Sequence, residues 1–211
     1  MKERRMKFYH FAIIITSLIF FGSLVGILFN FNYSRNFSDC YRNKVISNNN
    51  KIGGTFELIN HLDELVNEKE VLIEPSLIYF GYSYCPDICP YDLARNSDVV
   101  DILKKQGYDL TPIFISIDPK RDNTSRLRDY IELFHPKMIG LTGSKNQLKD
   151  IEKKYKVYKN IPNDENEGYL VDHSTFSYLI HHEKGFLEYY NRSNTSEEIS
   201  EPIACFLKNI N

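Results

Sequence analysis

The sequence predicts a three-layer α/β domain carried behind a single N-terminal membrane-spanning helix. Short apolar runs of buried-strand type alternate with amphipathic helical stretches, and the order closes with a hairpin and a last helix. Near the start lies a second feature: from Phe8 to Ser34 no Lys, Arg, Asp or Glu occurs.

Residues 1–7 are basic, and residues 8–31 read as an anchor. Its apolar core, Phe11 to Phe31, has about 20 residues, the length a helix needs to cross a bilayer. A cleavable signal peptide has an apolar region of only about 7–15 residues and a small-residue cleavage site, and Phe29 to Tyr33 offers none. The anchor is therefore expected to stay. Lys2, Arg4, Arg5 and Lys7 favour a cytoplasmic N-terminus, although Arg35, Arg42 and Lys44 follow the apolar stretch. The expected location is a bacterial inner membrane, crossed once, with the domain on the periplasmic side. Residues 32–51 are polar and asparagine-rich and read as a tether; Cys40 within it is expected to be a stray thiol.

The domain is expected over residues 52–211. Thr55–Asn60 alternates like a half-buried strand. Ser76–Phe80 is a short run of β-formers, broken by Gly81 and Ser83. Leu93, Val99, Val100, Ile102 and Leu103 then recur at helical intervals, up to a basic last turn and the stop at Gly107. Leu110–Asp118 is a second buried strand, and Thr124 or Ser125 is expected to cap a helix with Leu127, Tyr130, Ile131 and Phe134 on one face. Met138–Thr142 is a third strand. Ser144 with Gln147 is a capping box for a helix through Tyr155. Asn160–Gly168 reads as a surface loop. Thr175–Ile180 and Phe186–Tyr190 form the hairpin around Lys184-Gly185. Thr195 with Glu198 opens the last helix, where Cys205 is expected as a buried, inert thiol.

Composition narrows the function. Across 211 residues, 26 basic side chains face 28 acidic ones. With that balance and no long charge run, a nucleic-acid partner is not expected. Four cysteines, at 40, 85, 89 and 205, are too few for a disulfide scaffold and lack the paired spacing of a zinc site.

The chemistry concentrates in Tyr79-Phe80-Gly81-Tyr82-Ser83-Tyr84-Cys85-Pro86-Asp87-Ile88-Cys89-Pro90. Cys85 falls on a tight turn after a strand and Cys89 in or beside the first turn of a helix. Residues i and i+4 on a helix share a face, with Cβ atoms roughly 5–6 Å apart. Two sulfurs so placed can close on one soft ion. They can also approach a disulfide, but a strained one, because an unstrained bridge needs Cβ atoms about 3.8 Å apart. Such a bridge is easily reduced, and a bridge over so short a loop stabilises little. A helix N-terminus favours the thiolate, the form that binds metal and attacks disulfides.

Six histidines could join the thiols. His181 and His182 are adjacent on a strand and point to opposite faces. His61 and His135 lie in turns, and all four are expected in solvent. His173 sits at a loop-to-strand junction and reads either as a hydrogen-bonded structural residue or as a third ligand. Two thiolates and one imidazole make a soft, three-coordinate set that suits copper(I). Asp172 or Asp118 could orient the imidazole; Asp118–Asp122 reads equally as a turn and a helix cap.

These residues together resemble the SCO/SenC family of copper chaperones. The resemblance covers essentially all of 52–208 and rests on Gly53–Leu58, the thiol stretch, Asp118-Pro119-Lys120-Arg121-Asp122 and Val171–Leu179. It implies a membrane-anchored, thioredoxin-like domain with Cys85, Cys89 and His173 as copper ligands. It also implies a role in building the dinuclear copper centre of cytochrome c oxidase, so that the oxidase subunit receiving copper is the expected partner. The family's usual threonine-histidine before the first cysteine is Ser83-Tyr84 here, a change that bears on partner contacts rather than on ligands.

Two functions compete. One is a copper metallochaperone. The other is a thiol-disulfide oxidoreductase that uses Cys85 and Cys89 as a redox pair on the cysteines of the oxidase subunit. The first is favoured by three residues between the thiols rather than the two of redox C-x-x-C motifs, and by a histidine that dithiol exchange does not need.

Overall fold

A computed structural model describes residues 14–28, 40–41, 52–162 and 168–210. Residues 14–28 are helical (α1), and their large apolar side chains, Leu18, Phe20, Phe21 and Ile27 among them, are exposed. Among the described residues no helix is long and apolar enough to cross a membrane. The expected span 8–31 extends at both ends outside the described residues, as do residues 1–7 and most of the tether.

The domain runs β1 (Glu57–Asn60), β2 (Leu65–Asn67), α2 (Glu68–Val71), β3 (Ser76–Gly81), α3 (Ile88–Lys105), β4 (Thr111–Ser116), α4 (Thr124–Ile131) and β5 (Ile139–Thr142). It continues with α5 (Lys145–Tyr155), β6 (Lys159–Asn160), β7 (Asp172–His173), β8 (Ser177–His181), β9 (Gly185–Tyr190) and α6 (Ser196–Ile210). Seven strands form one sheet in the order β2-β1-β5-β4-β3-β8-β9, and β6 pairs with β7 apart from it.

Strand β3 is buried at every residue, between parallel β4 and antiparallel β8. A strand covered on both faces must be apolar throughout, and Leu77-Ile78-Tyr79-Phe80 meets that demand. Helices cover both sides. On one, α3 and α6 pack with Leu77, Leu103, Leu179, Ile203 and Phe206 in a single cluster. On the other, Leu127 and Ile131 of α4 and Leu148 and Ile151 of α5 pack with Ile78, Phe80 and Leu141. This is the expected three-layer α/β arrangement.

Both expected capping boxes are present. Ser144 accepts from the Gln147 amide while the Gln147 side chain reaches back, and Thr195 and Glu198 exchange hydrogen bonds of 3.1 and 3.2 Å. Helix α4 departs from expectation. Its cap is Asn123, not Thr124 or Ser125, because the Asn123 side-chain oxygen reaches the Arg126 amide at 2.8 Å. The expected loop 160–168 opens inside β6, where Asn160 pairs with Asp172; residues 163–167 lie outside the described ones.

The cysteines outside the motif depart furthest from expectation. Cys40 is not a stray thiol and Cys205 is not a free one: they form a disulfide across 165 positions, with Cα atoms 5.5 Å apart. Cys40 is buried against α6, and the Tyr41 ring meets Phe206 edge-on at 4.8 Å.

Candidate metal centre

The site lies at the carboxyl end of β3, where ligand sites of open α/β sheets are found. Gly81 ends the strand because nothing larger fits. A Cβ there would come within 2.9 Å of the Cys89 sulfur and 3.0 Å of the Phe114 and Tyr79 rings. The chain then turns, and Asp122 holds the turn. Its carboxylate accepts from the Ser83 amide at 3.1 Å and from the Ser83 and Ser116 hydroxyls at 2.6 Å each. Burial raises the Asp122 pKa, while these hydrogen bonds pull the other way.

Cys85 comes next, with its amide bonded to the Tyr82 carbonyl at 3.1 Å. Helix α3 opens three residues later. Asp87 stands at its N-cap without a side-chain bond. The Cys85 sulfur instead accepts the Cys89 amide at 3.4 Å, so a sulfur satisfies one of the otherwise unpaired first-turn donors. Cys85 and Cys89 are both free and both buried.

The histidine arrives through register. Strand β8 runs antiparallel to β3 with Ser177 opposite Tyr79. The chain four residues before Ser177 therefore lies beyond the end of β3, over the thiol turn, and β7 holds it there through the pairing of His173 with Lys159. The His173 Nε2 is 3.5 Å from the Cys89 Sγ. Its Nδ1 is 2.7 Å from the Ser174 carbonyl oxygen. A carbonyl only accepts, so Nδ1 carries the proton and Nε2 turns its lone pair toward the sulfurs.

The two sulfurs and the imidazole nitrogen lie within 4.8 Å of one another. Metal bonds to sulfur and nitrogen of about 2.0–2.3 Å would put three planar donors roughly 3.5–4 Å apart, so little closure is needed. The donor set is soft and three-membered, as copper(I) prefers.

The thiols are electrostatically unequal. The Cys85 pKa falls to about 3, chiefly because the Cys89 thiol donates to it, with help from the amides of Cys89 and Asp87 against the cost of burial. Cys89 is pushed strongly up, first by that same hydrogen bond and then by burial. The hydrogen bond between the sulfurs makes Cys85 the more acidic thiol and Cys89 the less acidic one.

Other candidates fall elsewhere. Asp118 is engaged by the Tyr169 hydroxyl at 2.8 Å and by Arg121, and Asp172 is exposed. The acceptor at Nδ1 is a backbone carbonyl, not either carboxylate. Three histidines are less solvated than expected. His61 Nδ1 accepts from the Gly140 amide, His135 Nδ1 from the Lys137 amide, and His181 is buried. His181 and His182 do not point to opposite faces: β8 ends at His181, the chain turns, and the two rings stack at 4.4 Å.

Sequence reasoning missed the cation–aromatic stack beside Cys85. The Arg121 guanidinium lies 3.5 Å from the Tyr169 ring centre and 5.0 Å from that of Tyr84, and Arg126 lies 4.7 Å from Tyr84 on its own account. The available signal was the alternation Tyr82-Ser83-Tyr84 before a segment ending in Lys120-Arg121.

Comparison with known proteins adds to this geometry. The family described as SCO1/SenC matches residues 44–208. Protein SenC of Rhodobacter capsulatus is 46% identical over 157 residues, covering 74% of this chain and 71% of its own length. The crystal structure of Arabidopsis thaliana ScoI with copper bound is similar with a TM-score of 0.71 at 37% identity, over 74% of this chain and 98% of that one. BsSco, described as a member of the Sco family of cytochrome c oxidase assembly proteins, gives a TM-score of 0.60 at 25% identity over 75% of this chain and 95% of its own.

Proposed function

The chain belongs to the SCO1/SenC family, and on that premise we propose that it is a copper metallochaperone for assembly of the dinuclear copper site of cytochrome c oxidase. The observation that carries the reading is the convergence of Cys85, Cys89 and His173 within 4.8 Å. Copper is the cargo. Cys85 receives it as a thiolate, Cys89 gives up its proton on coordination, and Nε2 of His173 completes the set. Release proceeds by exchange of these donors, one at a time, for thiolates of the receiving oxidase subunit.

The same reading places the domain outside the inner membrane on a single helical anchor. Two observations support it. Residues 14–28 form a helix whose large apolar side chains are all exposed, and the domain carries a disulfide, which persists in oxidising compartments.

Reduction of the partner's cysteines is the second reading, favoured by the low pKa of Cys85. One titration separates the two. The reduced full chain in detergent is titrated with copper(I) against a competing chelator. Carriage of copper requires one tightly held ion per chain and a loss of affinity on the order of 10–100-fold or more in His173→Ala. Weak binding, indifferent to that substitution, would leave only the reductase.

A further inference from the structure

We propose that the Cys40–Cys205 disulfide is a covalent clasp that fastens the tether to the pole of the domain opposite the metal site. The inference rests on the anchor proposed above, but it concerns different residues and a different bond.

The pole is fixed by packing. Arg95, in the middle of α3, donates to the carbonyls of Asn191 and Asn194 just before α6 begins. From there Ile199, Ile203 and Phe206 share a cluster with Val99, Val100 and Leu103 of the second half of α3 and with Leu110, in the loop that leads to β4. Cys89 and Leu93 belong to the other cluster. Helix α6 therefore runs toward the C-terminal end of α3 and away from the thiols, and Cys205 lies in its last turns. Around it the clasp is built, not incidental. Cys40 is 3% exposed, Tyr41 packs on Phe206, and the Asn209 amide stands 3.7 Å and 3.8 Å from the two sulfurs.

The clasp shortens the leash. Twelve Cα steps separate residue 28 from Cys40, and another twelve separate Cys40 from Ile52. At a maximum of about 3.6 Å per residue, the domain's attachment lies within roughly 43 Å of the end of α1 when the bond is closed, against roughly 86 Å when it is open. The closed bond holds the domain by the pole opposite the thiols. Opening requires a dithiol reductant. Its thiolate attacks one sulfur and expels the other as a protein thiolate. Its second thiolate then attacks its own sulfur in the mixed disulfide and expels the remaining protein thiolate, and the products are two protein thiols and the cyclised, oxidised reductant.

The full chain, carrying a protease site inserted within residues 42–51, is reconstituted in phosphatidylcholine–phosphatidylglycerol vesicles and cut. The cut domain should stay with the vesicles and leave only when dithiothreitol is added. In Cys205→Ser, or Cys40→Ser should the first fold poorly, the cut domain should leave at once, while the uncut variant still binds one copper(I). Release of the wild-type domain without reductant overturns the clasp. Should the uncut chain fail to sediment with vesicles, the anchor fails instead. The clasp is then read on a non-reducing gel, where the two fragments must run as one; separate bands overturn it.

Discussion

Cys85 and Cys89 are unequally acidic, and that inequality has a measurable pH dependence. The depressed pKa of Cys85 means its thiolate exists from about pH 3 upward, whereas an ordinary thiol ionises near 8.5. Its contribution to stability is accordingly complete above the unfolded-state pKa and fades as pH falls toward 3. In the reduced, metal-free chain, alkylation of Cys85 by iodoacetamide, mapped by mass spectrometry, should change little between pH 5 and pH 8. An ordinary thiol would quicken about tenfold per pH unit over that range. A rate that climbs with such a slope would show that Cys89 does not make Cys85 the more acidic thiol. At this scale the thiols were legible because spacing and flanking prolines mark them. The Ser174 carbonyl was not, since no sequence pattern says which backbone oxygen a distant ring will meet.

Gly81 belongs to the packing of strand against helix. The end of β3 and the first turn of α3 approach so closely that only a residue without a Cβ fits between Tyr79, Phe114 and the Cys89 sulfur. Gly81→Ala should cost about 1–3 kcal/mol, as overpacking does. It should also weaken copper(I) binding, because the Cys89 sulfur is what must move. Thermal unfolding and chelator competition on the same variant test both halves; an unchanged copper affinity would mean the sulfur yields freely. The strands and helices themselves were readable from period and caps, Ser144 with Gln147 being the plainest case. Asn123 does not stand out, because Thr124 and Ser125 beside it are equally good cap residues and only the local backbone decides among three candidates in a row. The short pair β6–β7 has two residues per strand, too few for any alternation to register.

Across the whole molecule, the bond between Cys40 and Cys205 closes a loop of 165 positions. Loop-closure entropy puts its contribution near 5 kcal/mol, within the 0–5 range of measured cases only at its top. For a chain of this size each kcal/mol moves the unfolding midpoint by about 2–4 °C. The Cys40→Ser/Cys205→Ser double variant should thus melt roughly 10–20 °C below the parent, with Cys85 and Cys89 reduced in both. A difference smaller than the scatter between repeat melts would mean that residues 40 and 41 do not dock on α6. Nothing local in the sequence pairs these cysteines. One falls in a polar stretch and the other on the apolar face of a helix, and only the packing of that helix brings them together.

Each of the three residues that could hold a metal is delivered by an element that other forces already hold in place: a turn pinned by Asp122, a helix seated on the central strand, a segment fixed by sheet register. Where folding depends on an ion, losing the ion dissolves the site. Here those other forces do not involve an ion, so on the reading proposed above release costs only the bonds exchanged and leaves the three donors where the fold holds them.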